Sequence, residues 1–189
     1  SMDIITADGG FDFSINFNKQ EVMALKLILV EVLYAIIMQK KGGTFILKMF
    51  DVFLKPSLDI LFILSCFYEK VYISKPFTSR TGNSEKYIIC KNFKYFSSEM
   101  YIEKFASIIK IIKNFSNENI EQLTSIINVN INHLFKNKVE EINCILTQQQ
   151  MDNILYTINL INSVDKNHQI EYLKKNNIEK CIQWCRKHS

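Results

Sequence analysis

Residues 71–90 read VYISKPFTSRTGNSEKYIIC. Two apolar, β-prone runs, Val71 to Ser74 and Tyr87 to Cys90, flank a polar loop that holds Lys75, Arg80 and Glu85 and is broken by Pro76 and Gly82. Two short strands joined by such a loop are a scaffold that presents charged groups. The loop is too short for a crossover, so the second strand is expected to run antiparallel to the first. Arg80 stands out because the chain has 21 Lys and two Arg. Set among Thr78, Ser79, Asn83 and Ser84, it suggests a need for a planar, five-donor fork, as in phosphate or carboxylate recognition. A loop-stabilising salt bridge to Glu85 explains it equally well.

Upstream, Asp3 to Ala7 reads as a short buried strand ending at Asp8-Gly9-Gly10. An acid and two glycines at a strand end suit the carboxyl edge of an α/β sheet, where ligands bind. Asn18 and Glu21 form a capping box for a helix running to about Gln39, apolar on most of its surface. Lys40 and Lys41 suit its negative end, and Gly42-Gly43 would stop it. Thr44 to Phe50 is the second strand. Lys48 is a lone cation inside that apolar run, costly to bury unless paired or at work. An end-of-strand lysine snorkelling to water is the plainer account. Pro56 opens a helix to about Tyr68, which returns the chain to Val71. The order strand–helix–strand–helix–strand implies parallel pairing by right-handed crossovers. Three parallel strands plus one antiparallel strand result, an α/β sheet.

After about Lys94 the pattern changes. All five Gly and both Pro lie before residue 83. Apolar residues recur at helical spacing, as at Ile102, Phe105, Ala106, Ile109 and Ile112, and Thr147 with Gln150 reads as a second capping box. Four to six helices are expected between Ser97 and His188, separated by asparagine-rich breaks near Asn114–Asn119 and Asn162–Asn167. The chain thus divides into an α/β part, 1–95, and an all-helical part, 96–189. Basic residues in the second part are too dispersed to define an RNA-binding face.

Composition sets wider bounds. A chain of 189 residues with 48% hydrophobic and 12% aromatic residues can bury a sizeable core. A net charge of +4 permits a nucleic-acid partner without demanding one. Five scattered cysteines argue against a disulfide framework and for a reducing compartment, nuclear or cytoplasmic. Cys181, Cys185 and His188 sit at helical spacing but lack a matching second pair, so no metal site is expected. The longest apolar run, Val22 to Met38, is interrupted by Lys26 and Glu31, so no membrane span is expected. Ser1-Met2 reads as a tag remnant. A first strand that opens inside a motif suggests a piece of a longer protein.

Three stretches together resemble a known family. Lys75-Pro76, Ser79-Arg80 and Asn83-Ser84-Glu85-x-Tyr87 are similar to the last motif of the FtsJ/RrmJ-like ribose 2′-O-methyltransferases. The Asn-Ser-Glu form resembles the branch that methylates the ribose next to the mRNA cap. Asp3 through Asp12 (DIITADGGFD) and Gly43 through Phe50 (GTFILKMF) match in the expected order, each at a strand end. The resemblance covers roughly residues 3–95. It implies a partial Rossmann-like, S-adenosylmethionine-dependent methyltransferase sheet.

The family uses a Lys-Asp-Lys-Glu tetrad. Matched residue by residue, Asp8 is its Asp, Lys48 its second Lys and Glu85 its Glu. By that resemblance Lys48 is the general base or hydroxyl-orienting amine. Asp8 and Glu85 would position it, and Asp8 would also border the methyl-donor pocket. Lys75, Ser79, Arg80, Asn83 and Ser84 would contact RNA, with capped mRNA as the implied substrate. The first tetrad lysine and the glycine-rich donor turn lie upstream in the family and have no counterpart here. The chain is therefore expected to carry the acceptor-side half, with the donor site incomplete and little activity alone. Two alternatives remain: an rRNA or tRNA ribose methyltransferase, and a non-catalytic module for RNA or protein binding. The strand matching Asp3–Ala7 would show a free outer edge that no Pro or Lys blunts. Self-association, or C-terminal helices packed over that side, is the expectation.

Overall fold

The computed structural model describes residues 1–10, 19–77 and 79–188. In chain order the elements are β1 (Met2–Ala7), α1 (Gln20–Met38), β2 (Gln39–Met49), α2 (Lys55–Phe67), β3 (Tyr68–Ser74), β4 (Lys86–Phe93), α3 (Glu99–Lys113), α4 (Asn117–Glu121), α5 (His133–Asn162) and α6 (Lys166–His188). The sheet order is β1-β2-β4-β3. β1 pairs parallel with β2, while β4 is antiparallel to both β2 and β3. β1, β2 and β3 therefore share one direction and β4 opposes them, as expected. The direct β2–β3 pairing implied by a simple crossover does not occur, because β4 lies between them. The short 75–85 loop keeps β4 beside β3, and insertion gives its Ile88 and Cys90, both fully buried, a strand on either side.

Alternation sorts the sheet into two faces. Phe45, Leu47 and Met49 of β2, with Ile88 and Cys90 of β4, point into the core. There they meet the apolar sides of α1 (Leu25, Ile28, Leu29, Val32, Ile36) and α2 (Ile60, Leu61, Leu64). Burial pushes the Cys90 thiol up to about 12, so it behaves as an inert apolar group. The opposite face carries Lys48 beside Tyr87 and Ile46 beside Ile89. β1 forms a sheet edge, and Ile4 is 69% exposed on it. Among the described residues, no helix is long and apolar enough to cross a membrane.

Two local expectations are corrected and one falls on a residue outside those described. First, α1 stops at Met38, and Lys40 to Gly43 belong to an irregular start of β2. The cause is Gln39, whose buried amide donates to the Met2 carbonyl (2.8 Å) and accepts from the Tyr68 hydroxyl (3.0 Å). Lys40 ion-pairs with Asp3 across the β1 edge (2.8 Å), and Gly42 takes a φ of +79°, a conformation that favours glycine. Second, Asn18 lies outside the described residues, and Glu21 accepts the Leu54 N–H (2.9 Å), tying α1 to the approach of α2. Third, Thr147 and Gln150 lie inside the continuous 30-residue helix α5, whose start is capped by Asn132. The helix number falls in the expected range, four among the described residues, with breaks at 114–116 and 163–165; α4 occupies the rest of the first expected break, and the longest break, 122–132, was not foreseen.

The helical half is fastened to the sheet half at Asp59 of α2. Its fully buried carboxylate pairs with Lys55 and accepts from the Ser125 hydroxyl (2.7 Å) and the Ile126 N–H (2.8 Å). Burial alone would raise this carboxyl, but Lys55, Ser125 and the N–H groups of residues 126 and 127 more than offset it and hold it below the ordinary range. Beyond this turn, Asn143 of α5 donates to the Val52 carbonyl (2.6 Å). Lys26 of α1 donates to the carbonyls of Lys113 and Phe115 (both 3.2 Å), meeting the negative end of α3.

Asp59→Ala strands two N–H groups and an ammonium, and should cost about 2–4 kcal/mol. Because the folded carboxyl is depressed, its contribution is present in full above the ordinary aspartate range and is lost as pH falls through its folded value. Urea titrations of both proteins should show a gap at pH 7 that narrows towards pH 3. Equal stabilities at pH 7 would remove the clamp.

Candidate active site

β1 and β2 end side by side at the carboxyl edge. Their register, Ala7 opposite Leu47, puts Asp8 next to Lys48. The Lys48 ammonium forms an ion pair with the Asp8 carboxylate and lies 3.4 Å from the Asp8 carbonyl. The Lys48 side chain is 15% exposed and that of Asp8 69%, so the pair faces outward from a lysine rooted in the sheet. Phe50 places its ring 5.9 Å from the same ammonium.

Glu31 of α1 completes the strand end. Its carboxylate accepts the Gly9 N–H (3.0 Å). Burial raises Glu31 above the ordinary carboxylate range, partly countered by that bond and by Lys48. A Cβ on Gly9 would come within 2.4 Å of the Glu31 oxygen and 2.7 Å of Leu27, so this turn presents bare backbone beside Asp8. Sequence reasoning noted Glu31 only as a break in an apolar run. A lone carboxylate there carried the same signal as the lone Lys48.

Glu85 arrives on the far side, at the foot of β4. Its carboxylate accepts from the Tyr87 hydroxyl (2.9 Å), and Tyr87 is the cross-strand neighbour of Lys48. That bond, then burial, pushes the Tyr87 phenol up to about 12, and Asp8 adds to the shift. The structure thus joins Asp8 and Lys48 directly and sets Glu85 two residues from Tyr87, the lysine's cross-strand neighbour, which holds it.

The loop residues divide differently from expectation. Lys75 turns inward, donating to the Asn83 carbonyl (2.8 Å), the Asn83 side-chain oxygen (2.5 Å) and the Glu85 carbonyl (2.7 Å). Burial lowers its pKa. With its three donors used on the loop, Lys75 acts as a brace between Asn83 and Glu85. Ser84 bonds Gln20 of α1 (3.2 Å), and Ser79 closes a turn onto Pro76 (2.9 Å). Arg80 is exposed and has no ion pair among the described residues, so the salt bridge to Glu85 is not formed. Arg80, Asn83, Ser84 and Glu85 line a cleft of about 980 Å³ that continues past Phe50 and Asp51. Asp51 also pairs with the buried ammonium of Lys86 (3.2 Å), fixing the foot of β4. Among the described residues no group of three or more His, Cys, Asp or Glu could hold a metal.

Lys48 and Asp8 thus pair at adjacent strand ends, and Phe50, whose ring lies 5.9 Å from the Lys48 ammonium, lines the cleft that holds Arg80 and Glu85. Residues 1–93 match the model described as FtsJ-like methyltransferase. This stretch belongs to that family. The cap-specific mRNA (nucleoside-2′-O-)-methyltransferase 2 of Drosophila melanogaster is 42% identical over 92 residues, covering 49% of this chain and 13% of the relative. The human cap-specific mRNA (nucleoside-2′-O-)-methyltransferase 1 is 38% identical over 107 residues, covering 57% of this chain and 13% of the relative. The chain therefore spans a small part of the curated relatives it matches. A ribosomal RNA methyltransferase structure from Plasmodium falciparum shows 25% identity over 49% of this chain and 47% of its own, with a TM-score of 0.40, too low to add to the case.

The crowding at residue 9 separates two neighbouring glycines. Gly9→Ala should destabilise the chain by about 1–3 kcal/mol. Gly10→Ala, whose Cβ would meet only the Lys48 nitrogen, at 3.7 Å, among the described residues, should cost under about 1 kcal/mol. Thermal melts compare them directly, and equal melting temperatures would show that the Glu31 contact does not hold the turn.

Proposed function

We propose that this chain supplies the acceptor side of an S-adenosylmethionine-dependent RNA ribose 2′-O-methyltransferase, with capped mRNA as substrate. Residues 1–95 form the catalytic half and 96–189 a helical extension. The observation that carries the reading is the Lys48–Asp8 pair at two adjacent strand ends, next to Phe50, which lines the cleft together with Glu85 and Arg80. The names of the curated relatives favour the cap-proximal ribose over an rRNA or tRNA target.

The sulfonium donor supplies an activated methyl group. The residues present fit it as a border: the Asp8 carboxylate, 69% exposed, faces outward beside the strand end. The remaining steps belong to this chain. Ribose oxygen is a poor nucleophile, so the enzyme must align it with the methyl and handle its proton. Lys48 orients the 2′-hydroxyl in line with the methyl and, entering the step as the neutral amine, takes up its proton as the new O–C bond forms. Asp8 fixes the lysine from one side, and Glu85, braced by Tyr87, closes the other. Arg80 offers its planar fork to a backbone phosphate. A binding-only module has no use for the Asp8, Lys48 and Glu85 arrangement, which disfavours that alternative. In the full-length protein, Lys48→Ala should reduce methyl transfer by about 10²–10⁴-fold with donor binding largely intact. Near-normal turnover would refute the assignment.

We also propose that the chain self-associates through β1. Among the described residues no strand pairs with its outer edge, and Ile4 is exposed there. The C-terminal helices dock instead near Val52, Phe77 and Gly82. Sedimentation velocity should show concentration-dependent association that Ile4→Lys reduces. A monomer at every concentration would exclude it.

A further inference from the structure

The cleft has a wall that the family match does not contain. Opposite the Arg80–Glu85 loop stands α5, which begins 40 residues after the matched stretch ends at residue 93. Gln150 and Asn153, one turn apart, both line the cleft with Arg80 and Glu85. The helix comes close: a Cβ on Gly82 would lie 3.2 Å from the Asn153 side-chain oxygen. α6 reaches the same loop, with the Lys180 ammonium 5.1 Å from the centre of the Phe77 ring. The position of α5 is fixed from its other end by the Asp59 clamp and the Asn143–Val52 bond.

The chemistry of this wall differs from that of the loop. Among the described residues, neither the Gln150 nor the Asn153 side-chain amide has a hydrogen-bond partner, though both side chains are half-buried. A neutral amide carries donors and an acceptor together. Phosphate offers acceptors only, whereas base edges and the 2′-hydroxyl offer both, and single-stranded RNA is read at those groups. Resting on the function proposed above, we infer that α5 is the specificity wall of the RNA cleft. Gln150 and Asn153 contact the base or ribose of the nucleotide next to the one presented to Lys48, while Arg80 across the cleft holds phosphate.

Fluorescence anisotropy of the 189-residue chain with a labelled short single-stranded RNA, over a salt series, tests this. Gln150→Ala and Asn153→Ala should each weaken binding about three- to tenfold. Their salt slope should be unchanged, because an amide releases no counterions, whereas Arg80→Ala should lower the slope. Circular dichroism checks that α5 persists. Gln150→Glu and Asn153→Asp keep the volume but put negative charge against a polyanion, and together should weaken binding at least about tenfold. Wild-type affinity in the double alanine or the double acidic variant overturns the inference, as does an unsubstituted chain that binds no RNA. Loss of turnover in Lys48→Ala with these results would leave the proposed reaction standing and only the wall refuted.

Discussion

The arrangement rests on one buried carboxylate. Asp59 sits in α2, packed against the sheet, and its acceptor capacity is used on Lys55 and on the turn at residues 125–127. A buried charge is costly when unpaired, so the position of that turn is strongly specified: moving it would leave the acid with Lys55 alone. The turn lies between α4 and α5, so its position sets where α5 starts. A rigid helix then carries that constraint through 30 residues to the cleft. The helical half meets the catalytic edge because α2 holds it from beneath the sheet.

The site is assembled by the same economy. Lys48 is rooted in a central strand whose neighbours carry Asp8 and Tyr87, so no loop has to search for the geometry. The loop that does enter the cleft is stiffened by Lys75, which replaces solvent with two backbone carbonyls and an amide oxygen. That leaves Arg80 as the loop's free cation among the described residues. Two basic residues five apart therefore do opposite work, one closing the loop and one facing outward. A planar fork is suited to the second task, and a compact ammonium with three donors to the first.

Much of this was legible beforehand because it depends on local pattern. The strands, their directions, the Pro56 helix start and the helical half follow from periodicity and breakers. Asp8, Lys48 and Glu85 were readable through motifs at strand ends. What escaped depends on contacts between residues distant in sequence. Gln39 ends α1 because it is needed by Met2 and Tyr68, so the lysines and glycines after it, which look like a helix stop, are drawn into the sheet. Thr147 and Gln150 have the spacing of a capping box, yet α5 continues through them, since uninterrupted intrahelical bonding leaves no free N–H group to cap. Lys75 and Arg80 could not be told apart by type alone, as only the folded loop shows which points inward.

The two walls of the cleft illustrate a division that a motif cannot express. The loop wall comes from the family stretch and offers charge, which attracts any RNA strand without reading it. The helix wall comes from outside that stretch and offers amides, which add little long-range attraction but are costly to leave unpaired once a strand enters. The two walls are thus set by separate elements, the second anchored by its own buried acid. The Asp8–Lys48 pair depends on strand register, whereas the amide wall depends on how a helix is docked.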